Sequence, residues 1–243
     1  MQNPKIIILG GGSSIKEGLS KDLWNKIKDH FVLGINYSYK YYTPTAQVFV
    51  DRDFYEKELP KGLDKIPLII GKYCKVAQKL VRPNTILLKA CSEYNRNLSK
   101  GVYKSALSGI FTLSIAIYLL DKMEGNEKEV YLLGYDFSGQ GEIIKNGKKI
   151  PLTHFYQNEL THRGTGKTNY YMQKNRPDRD FAPFKGIEGI KIYNVSPNSR
   201  IPDSIFTKID YDQFFSMLAT TTSNQDQLRS WIQEQLKHLK ENK

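Results

Sequence analysis

Gly10, Gly11, Gly12, Ser13 and Ser14 follow directly on the apolar run Ile6–Leu9. A glycine turn of this kind lets the backbone come close to a bound group. A serine at its end can cap a following helix, whose free N–H groups and dipole favour an anion. Phosphate is the guest that suits such a turn; the alternative is a plain strand-to-helix turn with no ligand. Other polar residues stand just past other apolar runs: Asn36, Asp51 with Asp53, Asp136, and Asn198 with Ser199. Asn and Asp also end strands because they suit turns, but a whole series of such ends in one chain argues for a shared role. Ser108-Gly109 opens the apolar run Ile110–Leu120 and would again put backbone N–H groups at a helix start. If Tyr103–Leu107 is already helical, the pair is only a close packing point. His154 and the run Thr161-His162-Arg163-Gly164-Thr165-Gly166-Lys167 supply imidazoles and cations on a glycine-flexed loop. Such a loop could close over phosphates, with His162 as general acid or base; the bland reading is a solvated basic loop.

The elements that must position these residues alternate in the α/β manner. Strands are expected at Ile6–Leu9, Phe31–Ile35, Gln47–Val50, Pro67–Gly71, Thr85–Leu88, Val130–Leu133 and Ile190–Val195. Helices are expected over roughly Ser20–Lys28 and Ser105–Leu120. The fold class is therefore α/β: a Rossmann-like, mostly parallel sheet with helices on both faces, a polar lid insertion and a C-terminal helix. Ligands collect beyond the carboxyl ends of strands in such a sheet. Residues 1–137 and 186–222 would make the nucleotide-binding body, and 138–185 the lid. The lid is polar, but Phe155, Tyr156, Tyr170, Tyr171, Phe181 and Phe184 favour at least partial order. Residues 223–243 carry Leu228, Trp231, Ile232, Leu236 and Leu239 at helical spacing. That stripe can dock on the body, pair with a second copy or touch a membrane surface.

Several classes are excluded by spacing. Ile15 stands where a dinucleotide fingerprint needs its last glycine, and Thr161 stands where a P-loop ending at Gly166-Lys167-Thr168 needs its first. The scattered His, Asp and Glu show no metal-ligand spacing, and no G-x-S-x-G is present. Cys74 and Cys91 make neither a zinc motif nor a disulfide framework. No run is long and apolar enough to span a membrane, and the N-terminus does not read as a signal peptide, so a cytoplasmic setting is expected, with peripheral contact at the inner membrane face open. His30 and His238 read as surface residues of amphipathic helices. The net charge of +11, from 36 Lys+Arg against 25 Asp+Glu, favours anionic partners: nucleotides, acidic glycans, lipid-linked sugars or nucleic acid.

Taken together, Ile8-Leu-Gly-Gly-Gly-Ser-Ser-Ile-Lys16, Ser108-Gly109, Val130-Tyr-Leu-Leu-Gly-Tyr-Asp136-Phe and Ile190-Lys-Ile-Tyr-Asn-Val-Ser-Pro-Asn-Ser199 resemble the small single-domain bacterial sialyltransferases. They also resemble the related 6-hydroxymethylpterin diphosphokinase-like family. The resemblance implies that Gly10–Ser14 lies against a donor phosphate, and that Asn36, Ser108, Gly109 and Asp136 lie near the nucleotide. Asp51 falls where the sialyltransferases carry an asparagine. His162 matches the catalytic histidine, with His154 as rival, and Tyr170 and Tyr171 supply the tyrosines that assist the leaving phosphate. The implied reaction is a metal-independent inverting transfer from a CMP- or UDP-linked sugar, needing no cofactor. In the pyrophosphokinase alternative Mg²⁺ clamps ATP through Asp51, Asp53 and Asp136. The third reading is a non-catalytic basic module that binds nucleotides or nucleic acid.

Overall fold

Continuous apolar runs become interior strands because a parallel sheet is covered on both faces. The computed structural model describes residues 4–49, 63–71, 82–91, 93–96, 100–103, 107–125, 127–137, 142–145, 147–151, 154–156, 176–219 and 225–241. In chain order the strands and helices are β1 (Lys5–Leu9), α1 (Ile15–Ser20), α2 (Leu23–Ile27), β2 (Phe31–Ile35), β3 (Ala46–Phe49), β4 (Leu68–Gly71), β5 (Thr85–Leu88), β6 (Ala90–Cys91) and β7 (Val102–Tyr103). They continue with α3 (Ser108–Asp121), β8 (Lys128–Leu133), β9 (Glu142–Lys145), β10 (Lys148–Pro151), α4 (Pro177–Asp180), β11 (Ile190–Val195), β12 (Thr207–Lys208), α5 (Tyr211–Ala219) and α6 (Gln225–Glu241).

Eight strands form one all-parallel sheet in the order β12-β11-β8-β1-β2-β3-β4-β5. From β1 the chain builds outward to β5, then returns to the other side of β1 with β8 and builds outward again. The order therefore reverses between β1 and β8, which is where a crevice opens in such folds. Register aligns Leu9 with Leu133 and Leu133 with Val195. Gly10, Gly134 and Ser196 thus form one row just past the strand ends.

The two sheet faces bury separate apolar clusters. One holds Ile6, Ile8, Phe31, Leu33, Val130 and Leu132 under α3 and α6. The other holds Ile7, Leu9, Val32, Tyr131 and Val195 against α1, α2 and α5. α3 is apolar almost all round and almost wholly buried. Its Thr112 and Ser114 hydroxyls donate to the Ser108 and Ile110 carbonyls one turn back, at 2.9 and 3.1 Å. At the amino end of the sheet a buried ion pair joins Lys5 Nζ to Glu129 Oε2 at 3.3 Å. Tyr131 donates to the same Glu129 oxygen at 2.7 Å, and Lys5 also donates to the Met217 carbonyl.

Several expectations need adjustment. The helix after the glycine turn starts at Ile15 and breaks at Lys21-Asp22, where Asp22 takes a left-handed φ of 63°. The hairpin β9–β10, α5 and the edge strand β12 were not foreseen. Phe181 and Phe184, assigned to the lid, belong to the main core. His30 is buried rather than a surface residue, since the turn into β2 tucks it under α6, whose Arg229 donates to the Lys28 and His30 carbonyls. The C-terminal stripe is used in docking: Ile232 and Leu236 are buried in the α3-side core, with Trp231 packed against it. No helix among the described residues is long and apolar enough to cross a membrane.

Candidate functional site

The carboxyl ends of β1, β8 and β11 are tied together by one side chain. Asp136 is 2% exposed. Its Oδ2 accepts from Ser13 Oγ and the Ser14 amide, both at 2.8 Å. Its Oδ1 accepts from Ser14 Oγ and Ser196 Oγ, both at 2.6 Å. Each oxygen thus takes two donors, which fills the carboxylate. Asp136 shapes the glycine turn instead of presenting itself to a ligand.

The glycines are explained by the same knot. A Cβ on Gly12 would stand 2.5 Å from the Asp136 carboxylate, and one on Gly10 would stand 2.9 Å from the Gly134 carbonyl. The Gly10 and Gly12 amides donate to the Leu133 and Gly134 carbonyls at 2.8 and 2.9 Å. With the Ser14 amide spent on Asp136, the Gly11 and Ser13 amides remain as the donors of the turn that a ligand could use. The phosphate cradle read from the sequence is narrowed to those two groups.

His154 lies directly over the turn. A Cβ on Gly11 would fall 2.4 Å from its Cδ2, and the Phe155 amide donates to the Gly11 carbonyl at 2.8 Å. The ring is stacked on Tyr156 with centroids 5.1 Å apart, and Tyr156 stacks on Tyr41 at 5.7 Å and 14°. Tyr37 meets Tyr156 edge-on at 5.7 Å, and Lys40 Nζ sits 4.6 Å from the Tyr37 ring centre. Burial pushes the Tyr156 phenol well above its ordinary range, with the neighbouring Tyr37 and Tyr41 adding to the shift. Tyr156 is therefore a neutral donor at physiological pH.

The start of α3 lies beside the β8 loop. Leu107 is extended, so Ser108-Gly109 opens the helix, and Gly109 is a close packing point as well, since a Cβ there would stand 2.8 Å from the Tyr135 ring. Asn36, in a left-handed conformation at φ 51°, begins the 3₁₀ turn Asn36–Lys40. Its Nδ2 donates to Ser108 Oγ at 3.3 Å, while its Oδ1 is buried without a hydrogen-bond partner among the described residues. Tyr135 donates to the Gly109 carbonyl at 3.0 Å, and burial drives its phenol upward too. Phe137, after Asp136, is likewise left-handed at φ 54°.

The crevice thus gathers Gly10–Ser14, Asn36, Ser108, Gly109, Asp136 and His154. Ser199 is buried but donates to the Tyr135 carbonyl at 2.6 Å, bracing the β8 loop. Asn198 is exposed. Asp51, Asp53, His162, Arg163, Lys167, Tyr170 and Tyr171 lie outside the described residues. Sequence reasoning missed Ser196, although it shares a register row with Gly10 and Gly134. It also missed Tyr37 and Tyr41, which follow Asn36 on the same turn. Comparison with protein-family models, curated proteins and solved structures returns no match, so the resemblance rests on the quoted motifs alone.

Proposed function

We propose that the chain is a nucleotide-dependent transferase: an inverting, metal-independent glycosyltransferase that takes a sugar from a CMP- or UDP-linked donor to an anionic acceptor. The observation that carries this reading is Asn36. Its Oδ1 is a buried acceptor with no hydrogen-bond partner among the described residues, and such a group calls for a donor. A ribose hydroxyl or a base amine reaching that oxygen would supply one. The left-handed conformation of Asn36 adds to the case, because strain of that kind gathers at ligand sites. So does the position of the crevice, at the reversal of strand order.

In this reading the donor phosphate faces the Gly11 and Ser13 amides. His154 accepts the proton of an acceptor hydroxyl, and that oxygen attacks the anomeric carbon as the bond to the phosphate oxygen breaks. The departing phosphate keeps the bonding electron pair and is stabilised by the two amides. Arg163 and Lys167 of the lid are further candidates for that stabilisation, and His162 is the rival base. The Mg²⁺-ATP alternative fits less well. It needs Asp136 as a metal ligand, and both oxygens of that carboxylate already accept two hydrogen bonds each.

Thermal-shift titration with CMP, UMP, UDP and ATP, each with and without Mg²⁺, tests the reading. CMP or UDP should raise the melting temperature without metal, by the equivalent of about 2.7 kcal/mol at a hundred times Kd. Asn36→Ala should abolish the shift. His154→Gln should keep it while slowing sugar transfer by about a hundredfold or more. A shift seen only with ATP and Mg²⁺ would overturn the proposal.

A further inference from the structure

Gln47 is a buried amide in the interior of the sheet. It stands on β3, between β2 and β4, and is 0% exposed. Burying an amide costs free energy unless its hydrogen bonds are met, and here they are. Nε2 donates to the Asn36 carbonyl at 3.0 Å and to the Val48 carbonyl at 3.3 Å. Oε1 accepts from the buried Ser38 Oγ at 3.4 Å. Two carbonyls at one end of the amide identify that end as the nitrogen. Gly34, the register partner of Gln47 on β2, keeps the space open. A Cβ there would stand 2.4 Å from Gln47 Oε1 and 2.7 Å from Ser38 Oγ. Gly34, Ser38 and Gln47 are thus committed to one arrangement, and what it grips is the main chain of Asn36.

We infer that Gln47 is a positioning residue of the nucleotide site: by binding the Asn36 carbonyl it holds Asn36 left-handed and so places the Asn36 Oδ1 for the ligand. The assignment rests on the transferase reading in one respect, that Asn36 contacts the nucleotide. A residue other than glycine stays at φ 51° only where its surroundings fix it. Asn36 is fixed from two elements. Ser108, on α3, accepts from its side chain, and Gln47, on β3, donates to its carbonyl. The first contact orients the side-chain amide. The second sets the peptide plane that follows Asn36. Without that donor the plane is free to turn, Asn36 relaxes to an ordinary negative φ, and Oδ1 leaves its place. The sheet itself does not call for the amide, since an apolar residue suits a strand covered on both faces. Its presence is explained by what it holds.

The test uses the full chain with Gln47→Met, which keeps the length of the side chain and removes the donor. Two quantities are read. One is the intraresidue NOE between the Asn36 amide and Hα protons, which is strong only at positive φ. The other is the Kd of CMP and of UDP by calorimetry. Gln47→Met should weaken the NOE and raise the Kd of the nucleotide that binds the wild type about tenfold, the scale set by the strain of a left-handed residue. Asn84→Ala is the control. Asn84 Nδ2 donates to the Leu63 and Ile66 carbonyls at 2.8 and 2.6 Å, before the amino end of β5 and away from the strand ends that carry the site. That variant should lower the melting temperature and leave the NOE and the Kd unchanged. If Gln47→Met does not fold, Ser38→Ala takes its place; it removes only the donor to Oε1 and should move both quantities the same way by a smaller factor. The inference needs both changes in one folded variant and falls if either is absent, or if Asn84→Ala raises the Kd as much. Nucleotide binding that survives Gln47→Met undiminished removes the positioning role and spares the transferase. A wild type that binds neither nucleotide removes the transferase, and a Gln47-dependent NOE then keeps Gln47 as the holder of Asn36 alone.

Discussion

Strand β8 carries a buried carboxylate at each end, and the two are held in opposite ways. Glu129, at the amino end, meets the cation of Lys5, itself 3% exposed, and the hydroxyl of Tyr131. Burial and that hydrogen bond push the Tyr131 phenol far above its usual range, so it stays a donor to Glu129. Asp136, past the carboxyl end, is bonded by no cation among the described residues. Four neutral donors surround it, three of them serine hydroxyls. One end is a closed electrostatic staple. The other is a charge solvated by the very groups that make the glycine turn. The shape of the glycine turn therefore depends on one side chain, whose own charge would oppose the phosphate of the proposed donor unless cations compensate it.

The staple gives the largest expected effect. Lys5→Met leaves Glu129 buried and unpaired, which should cost about 3–5 kcal/mol. The double variant Lys5→Met/Glu129→Leu should recover most of that loss, since a buried pair is often replaceable by apolar groups of similar size. Urea denaturation midpoints at constant m-value read both. A cost below about 1 kcal/mol for Lys5→Met would mean that Glu129 does not depend on the cation, and the contrast between the two ends would disappear.

Asp136→Ala comes next. It orphans the Ser14 amide, but the three hydroxyls can rotate to other partners, so about 2–4 kcal/mol is expected in the same denaturation assay. The distinguishing readout is functional. The variant should also lose nucleotide-dependent stabilisation, because the turn is no longer held, whereas Lys5→Met should retain it. If nucleotide binding survives Asp136→Ala in a folded protein, the knot is structural only.

The same contrast explains what was legible in the residues. Phe31–Ile35 and Thr85–Leu88 are strands to the residue, because apolar runs bounded by turn formers leave little choice in a doubly covered sheet; Ile190–Val195 is one to the residue by alternation, with Ile190 and Ile192 buried and Lys191 exposed. α5 carries Tyr211, Phe214 and Leu218 at helical spacing; that signal was present, though short and aromatic-rich. The α1–α2 break was not readable, since Asp22 adopts φ 63° with neither glycine nor proline at the break. At the site, Asp136 was read as a nucleotide-binding residue, and in the structure both its oxygens are taken by internal donors. A strand-end carboxylate looks the same in sequence whether it reaches a ligand or three serines. Ser196 became visible only through the register that sets it level with Gly10 and Gly134. Tyr37 and Tyr41 lie on a 3₁₀ turn, where no hydrophobic period marks which way a ring points.

Asn194 provides the smallest effect and the sharpest check on the principle. It lies on β11, two residues before Ser196, and is 0% exposed. Strand alternation puts it on the same face as Ile190 and Ile192, in the α3-side core. Neither its Oδ1 nor its Nδ2 has a hydrogen-bond partner among the described residues, although its main-chain carbonyl accepts from the Ile209 amide at 3.0 Å. Asp136 is a buried polar group whose every bond is met; Asn194 is its converse on the neighbouring strand. An unmet buried amide costs free energy, so Asn194→Leu, which keeps the branched shape, should raise stability by about 1–2 kcal/mol and leave nucleotide binding unchanged. A loss of stability instead would show that the amide is satisfied in solution.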